Sequence, residues 1–364
     1  MEAPLIRARG LAPIRSGRGR LSFRRDIQLD HRAARLTITT PVFSKRASRS
    51  VAVIALGILL ASCGKIAVWT APSKSSSAQR TDQAKDADKL FWDTFHKAQY
   101  DQIQPALEAE SAAYLADPAD SITAAHVGWL HFWRLAEASR LESEPATITD
   151  DAVLAQKYFQ EAVALNPNDA RYAGFLASAT LVEGSIDHEE KTTRRGYFML
   201  LDAIKQWPEF NLFTAGYVMS GAPAASKQFK QAIDWEWQNL DVCVGEKVDR
   251  HTASYAKYLK QETTEGKKRV CWNSWIAPHN FEGFFLNMGD MLVKAGDWQT
   301  ARDVYRNAQL STSYETWPYR KVLEERITHA QENAVLFNAS KSAGAKYAPI
   351  MVNSEFSCTG CHAK

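Results

Sequence analysis

The stretch Phe284–Ala308, FFLNMGDMLVKAGDWQTARDVYRNA, decides the fold. Its apolar residues recur three and four apart, the period of a helix with one buried face. Phe285, Met288, Gly289 and Leu292 line one such face. Gly296-Asp297 is a turn signal, and Trp298 opens a second helical segment. There Ala301, Tyr305 and Ala308 stand at 0, +4 and +7. The spacing occurs twice upstream, as Ala155, Phe159 and Ala162 with Pro167 at +12, and as Gly196, Leu200 and Ala203 with Pro208 at +12. The third copy has Ser313 where the others have proline. Small residues at 0 and +7 let two helices approach, a larger one at +4 fills the gap, and proline stops the helix.

This pattern resembles the second helix of a tetratricopeptide repeat, and Phe285 to Trp298 resemble its first helix. Copies are unevenly spaced: 41 residues separate the first two and 105 the next. The resemblance therefore implies an all-α fold, a degenerate tetratricopeptide-like α-α superhelix with insertions, over residues 86–340. An unrelated helical bundle is the competing reading. Asp117-Pro118, Asn166-Pro167-Asn168-Asp169 and Trp207-Pro208 supply short loops, and alternating β-branched runs are few. Residues 316–338, TWPYRKVLEERITHAQENAVLFN, predict a further long helix with a solvated Glu/Arg face. Residues 341–364, rich in Gly, Ser and Ala, read as a C-terminal tail.

The tail ends EFSCTGCHAK. Cys358-Thr-Gly-Cys361-His362 has the C-x-x-C-H spacing of a c-type haem attachment site and resembles the signature of the c-type cytochromes. That resemblance implies covalent haem c, with thioethers at Cys358 and Cys361 and His362 as an axial iron ligand. Only Ala363 and Lys364 follow, so a sixth ligand has to come from upstream, from water or from another chain. Met351, His279 and His329 are the candidates. Met288 and Met291 read as core. His126 and His131, five apart in the aromatic-rich segment HVGWLHFW, read as satisfied core or surface histidines. Aromatics at helical spacing are core residues before they are a haem cleft. Without haem, Cys358, Cys361 and His362 make a thiol pair or three zinc ligands.

At the other end, Lys45, Arg46 and Arg49 precede the apolar run Val51–Ala61, whose 11 residues are too few to span a bilayer. It ends Leu60-Ala61-Ser62-Cys63. This resembles a bacterial lipoprotein leader, which implies lipid on Cys63. Gly64 follows rather than Asp, which by the same resemblance favours the outer membrane. Residues 1–62 are a signal region, with 42–62 as the leader. Residues 1–41 lack an apolar run, and a start at Val42 is the expectation. Arg24-Arg25 has no apolar segment within reach, against a twin-arginine signal. Ser-rich residues 63–85 read as a lipidated flexible tether.

Five cysteines are present. Once Cys63, Cys358 and Cys361 are assigned, Cys243 and Cys271 remain, and an oxidising compartment favours their pairing over two buried thiols. Charge is unevenly distributed. Residues 1–62 hold 12 Lys/Arg against 3 Asp/Glu, and the remainder 32 against 38. A mildly acidic body gives no reason to expect nucleic acid. No paired carboxylates, Ser-His-Asp set or phosphate loop stands out. The expected function is that of a lipid-anchored, monohaem electron carrier in the bacterial envelope, whose body docks redox or scaffold proteins. The alternatives are a haem-free lipoprotein scaffold, and a haem gas sensor or enzyme with an open sixth position.

Overall fold

The computed structural model describes residues 65–97, 99–136, 146–272 and 281–339. It comprises two units, Met1–Ala71 and Pro72–Lys364. In the first, residues 65–69 form a helical turn with Val68 and Trp69 exposed. The second is all-α, with no strand among the described residues. Among the described residues no helix is long and apolar enough to cross a membrane.

Twelve α-helices follow in order among the described residues: α1 Asp82–His96, α2 Ile103–Ala116, α3 Ser121–Ala136, α4 Ile148–Leu165, α5 Ala170–Ile186 and α6 Glu190–Gln206, then α7 Pro208–Met219, α8 Lys227–Val244, α9 Phe281–Lys294, α10 Trp298–Arg306, α11 Arg320–Thr328 and α12 Ala330–Leu336. Polar caps start several of them. The side chains of Thr81, Asp169, Ser226 and Asp297 accept from backbone N–H groups in the first turns of α1, α5, α8 and α10. Pro208 opens α7, where its missing N–H costs nothing. Gly245 closes α8 at φ 77°, the left-handed conformation that glycine adopts freely.

From α1 to α10 each helix packs on its successor, and α1 also meets α3 and α5 meets α7. The result is a tandem series of helical pairs. Every copy of the repeated spacing faces inward. Ala155, Phe159 and Ala162 lie on α4, Gly196, Leu200 and Ala203 on α6, and Ala301, Tyr305 and Ala308 on α10 and the turn after it; all are buried. The packing explains the residue types. A Cβ on Gly289 of α9 would fall inside the Tyr305 ring, so glycine is what lets α9 and α10 meet. Gly128 of α3 also faces a ring, that of Phe159, at a looser approach, with 3.2 Å from its would-be Cβ to the nearest ring carbon. Pair α3–α4 is thus the counterpart of α9–α10, with a longer connection.

The insertion between α8 and α9 carries two 3-10 turns, Ala256–Gln261 and Lys267–Cys271. The second is fastened to the corner between α6 and α7. The Trp207 Nε1–H donates to the Lys267 carbonyl at 3.1 Å, and the Lys267 ammonium to the Gln206 carbonyl at 2.8 Å.

Two expectations need correction. The tether assigned to 63–85 reaches too far. The Ser77 hydroxyl donates to Asp117 at 2.8 Å, Arg80 pairs with Asp88 and Asp120, and α1 already begins at Asp82. Ser77, Arg80 and Thr81 are capping and pairing groups, while residues 65–76 are exposed as a tether would be. The single long helix expected over 316–338 is two short ones, α11 and α12, which meet at His329 (φ −104°, ψ 23°). Its polar face is not wholly solvated either, because Arg326 is buried against Asp290.

Candidate functional site

Cys63, His279, Met351, Cys358, Cys361 and His362 lie outside the described residues. His329, the remaining sixth-ligand candidate, is exposed at the α11–α12 junction. Met288 and Met291 are each 1% exposed and pack with apolar neighbours, as core residues do. Cys243 of α8 and Cys271 of the second 3-10 turn form a disulfide, with Cα atoms 5.8 Å apart. The bridge closes the insertion onto α8.

The two histidines of α3 are both buried and both meet carboxylates. His131 Nδ1 lies 2.8 Å from Asp151 of α4, with Tyr158 stacked alongside. His126 sits in a denser cluster. Its Nδ1 is 2.8 Å from Asp88 Oδ1 on α1 and 3.0 Å from Glu110 Oε1 on α2. The imidazole stacks on Phe91, with centroids 4.0 Å apart and planes 7° apart, and meets the edge of Trp92. Arg80 grips both oxygens of Asp88 and reaches Asp120 Oδ2 at 2.7 Å. Asp120 also accepts from the Thr123 hydroxyl at 2.8 Å and caps the start of α3. Three helices and the segment before α1 therefore converge on one charged knot.

Its electrostatics are mixed. Glu110 is fully buried, and this burial raises its carboxyl pKa against the opposing pull of His126. Its Oε2 has no hydrogen-bond partner. Burial penalises the His126 cation, yet its hydrogen bonds to the Asp88 and Glu110 carboxylates outweigh this and raise the imidazole pKa. Burial would raise Asp88 as well, but His126 and Arg80 hold it below its usual range. The three donor atoms of Asp88, Glu110 and His126 lie within 4.8 Å of one another. Residues scattered from 80 to 126 present no motif. The one legible sign is Glu110, an acid on the face that Ala106, Leu107, Ala113 and Tyr114 otherwise make apolar.

Glu236, Glu282 and Asp290 are further buried acids of the body. Asp290 Oδ1 accepts from the Tyr305 hydroxyl at 2.6 Å and from Arg326 Nε at 3.1 Å. Glu236 has neither carboxyl oxygen hydrogen-bonded. A groove of about 800 Å³ opens at the ends of α5 to α8, lined by Leu181, Arg194, Tyr197, Met219 and Gln231 among others. The Lys294 ammonium donates to the carbonyls of Ser220 and Ala222 beside it, and burial lowers its pKa to about 8. The Asn338 amide donates to the Lys294 carbonyl at 2.8 Å, which ties the end of α12 to this corner.

Comparison with protein-family models, with curated proteins and with solved structures finds no match to this chain.

Proposed function

We propose that this chain is a lipid-anchored monohaem c-type cytochrome of the bacterial envelope, an electron carrier whose helical body docks a redox partner. The observation that carries the reading is Cys358-Thr-Gly-Cys361-His362. Its donor set suits the group. Two thiols with two residues between them can each add to a haem vinyl, and the next residue is an imidazole that can meet the iron. Bound haem would supply a one-electron ferric/ferrous couple. The protein's part is to hold the porphyrin through Cys358 and Cys361 and to ligate iron through His362. Met351, His279 and His329 are the candidates for the opposite position.

The body lends indirect support. A disulfide between Cys243 and Cys271 belongs to an oxidising compartment, which is where lipidation of Cys63 and haem attachment would also take place. With that pair bonded, each remaining cysteine falls in a motif with its own chemistry.

Export of residues 64–364 alongside cytochrome c maturation machinery tests the proposal, read by intact mass and a haemochrome spectrum. A mass gain of one haem that survives denaturation is expected. An apo mass from cells that mature a control cytochrome would overturn the reading and favour a haem-free scaffold with a thiol tail. A haem protein whose ferrous spectrum shifts with carbon monoxide would favour sensing or catalysis over electron transfer.

A further inference from the structure

We propose that Asp88, Glu110 and His126 form a binding site for one divalent cation of mixed nitrogen and oxygen preference, of the Zn²⁺ or Mn²⁺ class. This site is separate from the haem motif, and it does not rest on the cytochrome reading.

The donor geometry is the first reason. An ion with bonds of about 2.1 Å places neighbouring ligand atoms roughly 3 Å apart when they subtend a right angle. His126 Nδ1 stands 2.8 Å from one carboxylate oxygen and 3.0 Å from the other. One imidazole and two carboxylates suit these borderline ions better than Ca²⁺, which prefers oxygen alone.

The second reason is the orphaned oxygen. Glu110 is 0% exposed, and its Oε2 lacks a hydrogen-bond partner. Leaving a buried carboxylate oxygen unsatisfied is costly, and a cation bound at Glu110 would offset that cost through the charge it brings to the carboxylate.

Charge is the third. Asp88, Asp120 and Glu110 offer three negative charges and Arg80 returns one positive. Once an ion displaces the protons, with Glu110 ionised and His126 neutral, the knot carries a net of two negative charges, which one divalent ion balances. The surroundings also resemble an outer shell built to orient ligands. Arg80 and Thr123 fix the Asp88–Asp120 side, and Phe91 holds the imidazole plane. The Asp88 side chain keeps 18% exposure, a route for an ion to enter.

The test uses the full chain with Cys358→Ser, Cys361→Ser and His362→Ala, so that the tail cannot bind metal. After chelator treatment, Zn²⁺ and Mn²⁺ are titrated separately by calorimetry, and bound metal is counted after dialysis. One ion per chain is expected, with at least a tenfold loss of affinity in Glu110→Gln and in His126→Gln. Asp151→Asn, at the separate His131 pair, should bind as the parent does. Failure of the parent to bind either ion would overturn the proposal, and so would undiminished binding in both knot variants. If those variants do not fold, pulsed electron paramagnetic resonance of Mn²⁺ on the parent decides. Coupling to one imidazole nitrogen is expected, and its absence would sink the site.

Discussion

Glu236 lies on α8 beside Gly216, with a buried carboxyl group that no donor meets. Burial raises its pKa well above the ordinary 4.5. The sign follows from proton linkage. Above pH 4.5 the unfolded chain has released this proton while the native chain still holds it. Stability contributed by the neutral group is therefore full below pH 4.5, and is lost as pH rises towards the folded pKa. The slope is about 1.4 kcal/mol per pH unit for one proton. Glu236→Gln should remove that slope, so that its stability relative to the parent improves between pH 5 and pH 7. Urea unfolding at those two pH values measures it, and equal slopes in the two chains would exclude Glu236 as the source. Little of this was legible in the sequence. Glu236 sits among Trp235, Trp237 and Leu240, yet helical spacing alone does not tell a buried acid from one at the edge of a stripe. The His126 knot was hidden for a related reason. Its residues come from separate helices, and only Glu110 breaks an apolar face.

Helix pairs were far more legible, because contact between helices requires small residues at fixed spacing. Ala301, Tyr305 and Ala308 pointed to the α9–α10 pair, and the close approach at Gly289 accounts for the large-small alternation. Gly289→Ala should cost about 2–3 kcal/mol through overpacking against Tyr305. Thermal unfolding followed by circular dichroism would show it, and an unchanged midpoint would mean that α9 and α10 can separate freely. The counterpart contact of Gly128 with Phe159 is hidden in the sequence because residues 137–147 lengthen the connection and blur the repeat. The long helix expected over 316–338 failed for a different reason. Arg326 is drawn inward by Asp290, and the chain bends at His329. Tertiary pairing there overrides local period. The bridge from Cys243 to Cys271 spans 28 residues, and its removal by double Ser substitution should cost about 3–4 kcal/mol. Guanidinium unfolding of the double variant reads this directly, and a loss under 1 kcal/mol would show that the insertion is held by its hydrogen bonds instead.

At the scale of the whole chain, the two ends carry chemical motifs and the middle carries packing. The motifs were visible in the sequence because each is a short contiguous run, and the all-α body was visible because its period repeats. A docking face is not legible in this way, since such a face is assembled from residues distant in sequence. If the tail is an appendage to the body, His362→Ala should alter the optical spectrum of a haem-loaded chain while leaving helix content and melting temperature unchanged. Collapse of the helical signal would instead make the tail part of the folded core. The Cys243–Cys271 bridge has a consequence for biogenesis. On the haem reading proposed above, Cys358 and Cys361 would have to be reduced to attack the haem vinyls while this pair is oxidised, so one polypeptide would need opposite redox outcomes at two places. Cys243 is 2% exposed and Cys271 is partly buried, so the folded body limits the access of a reductant to this bridge. Burial would thereby let the two cysteine pairs hold opposite redox states in one compartment.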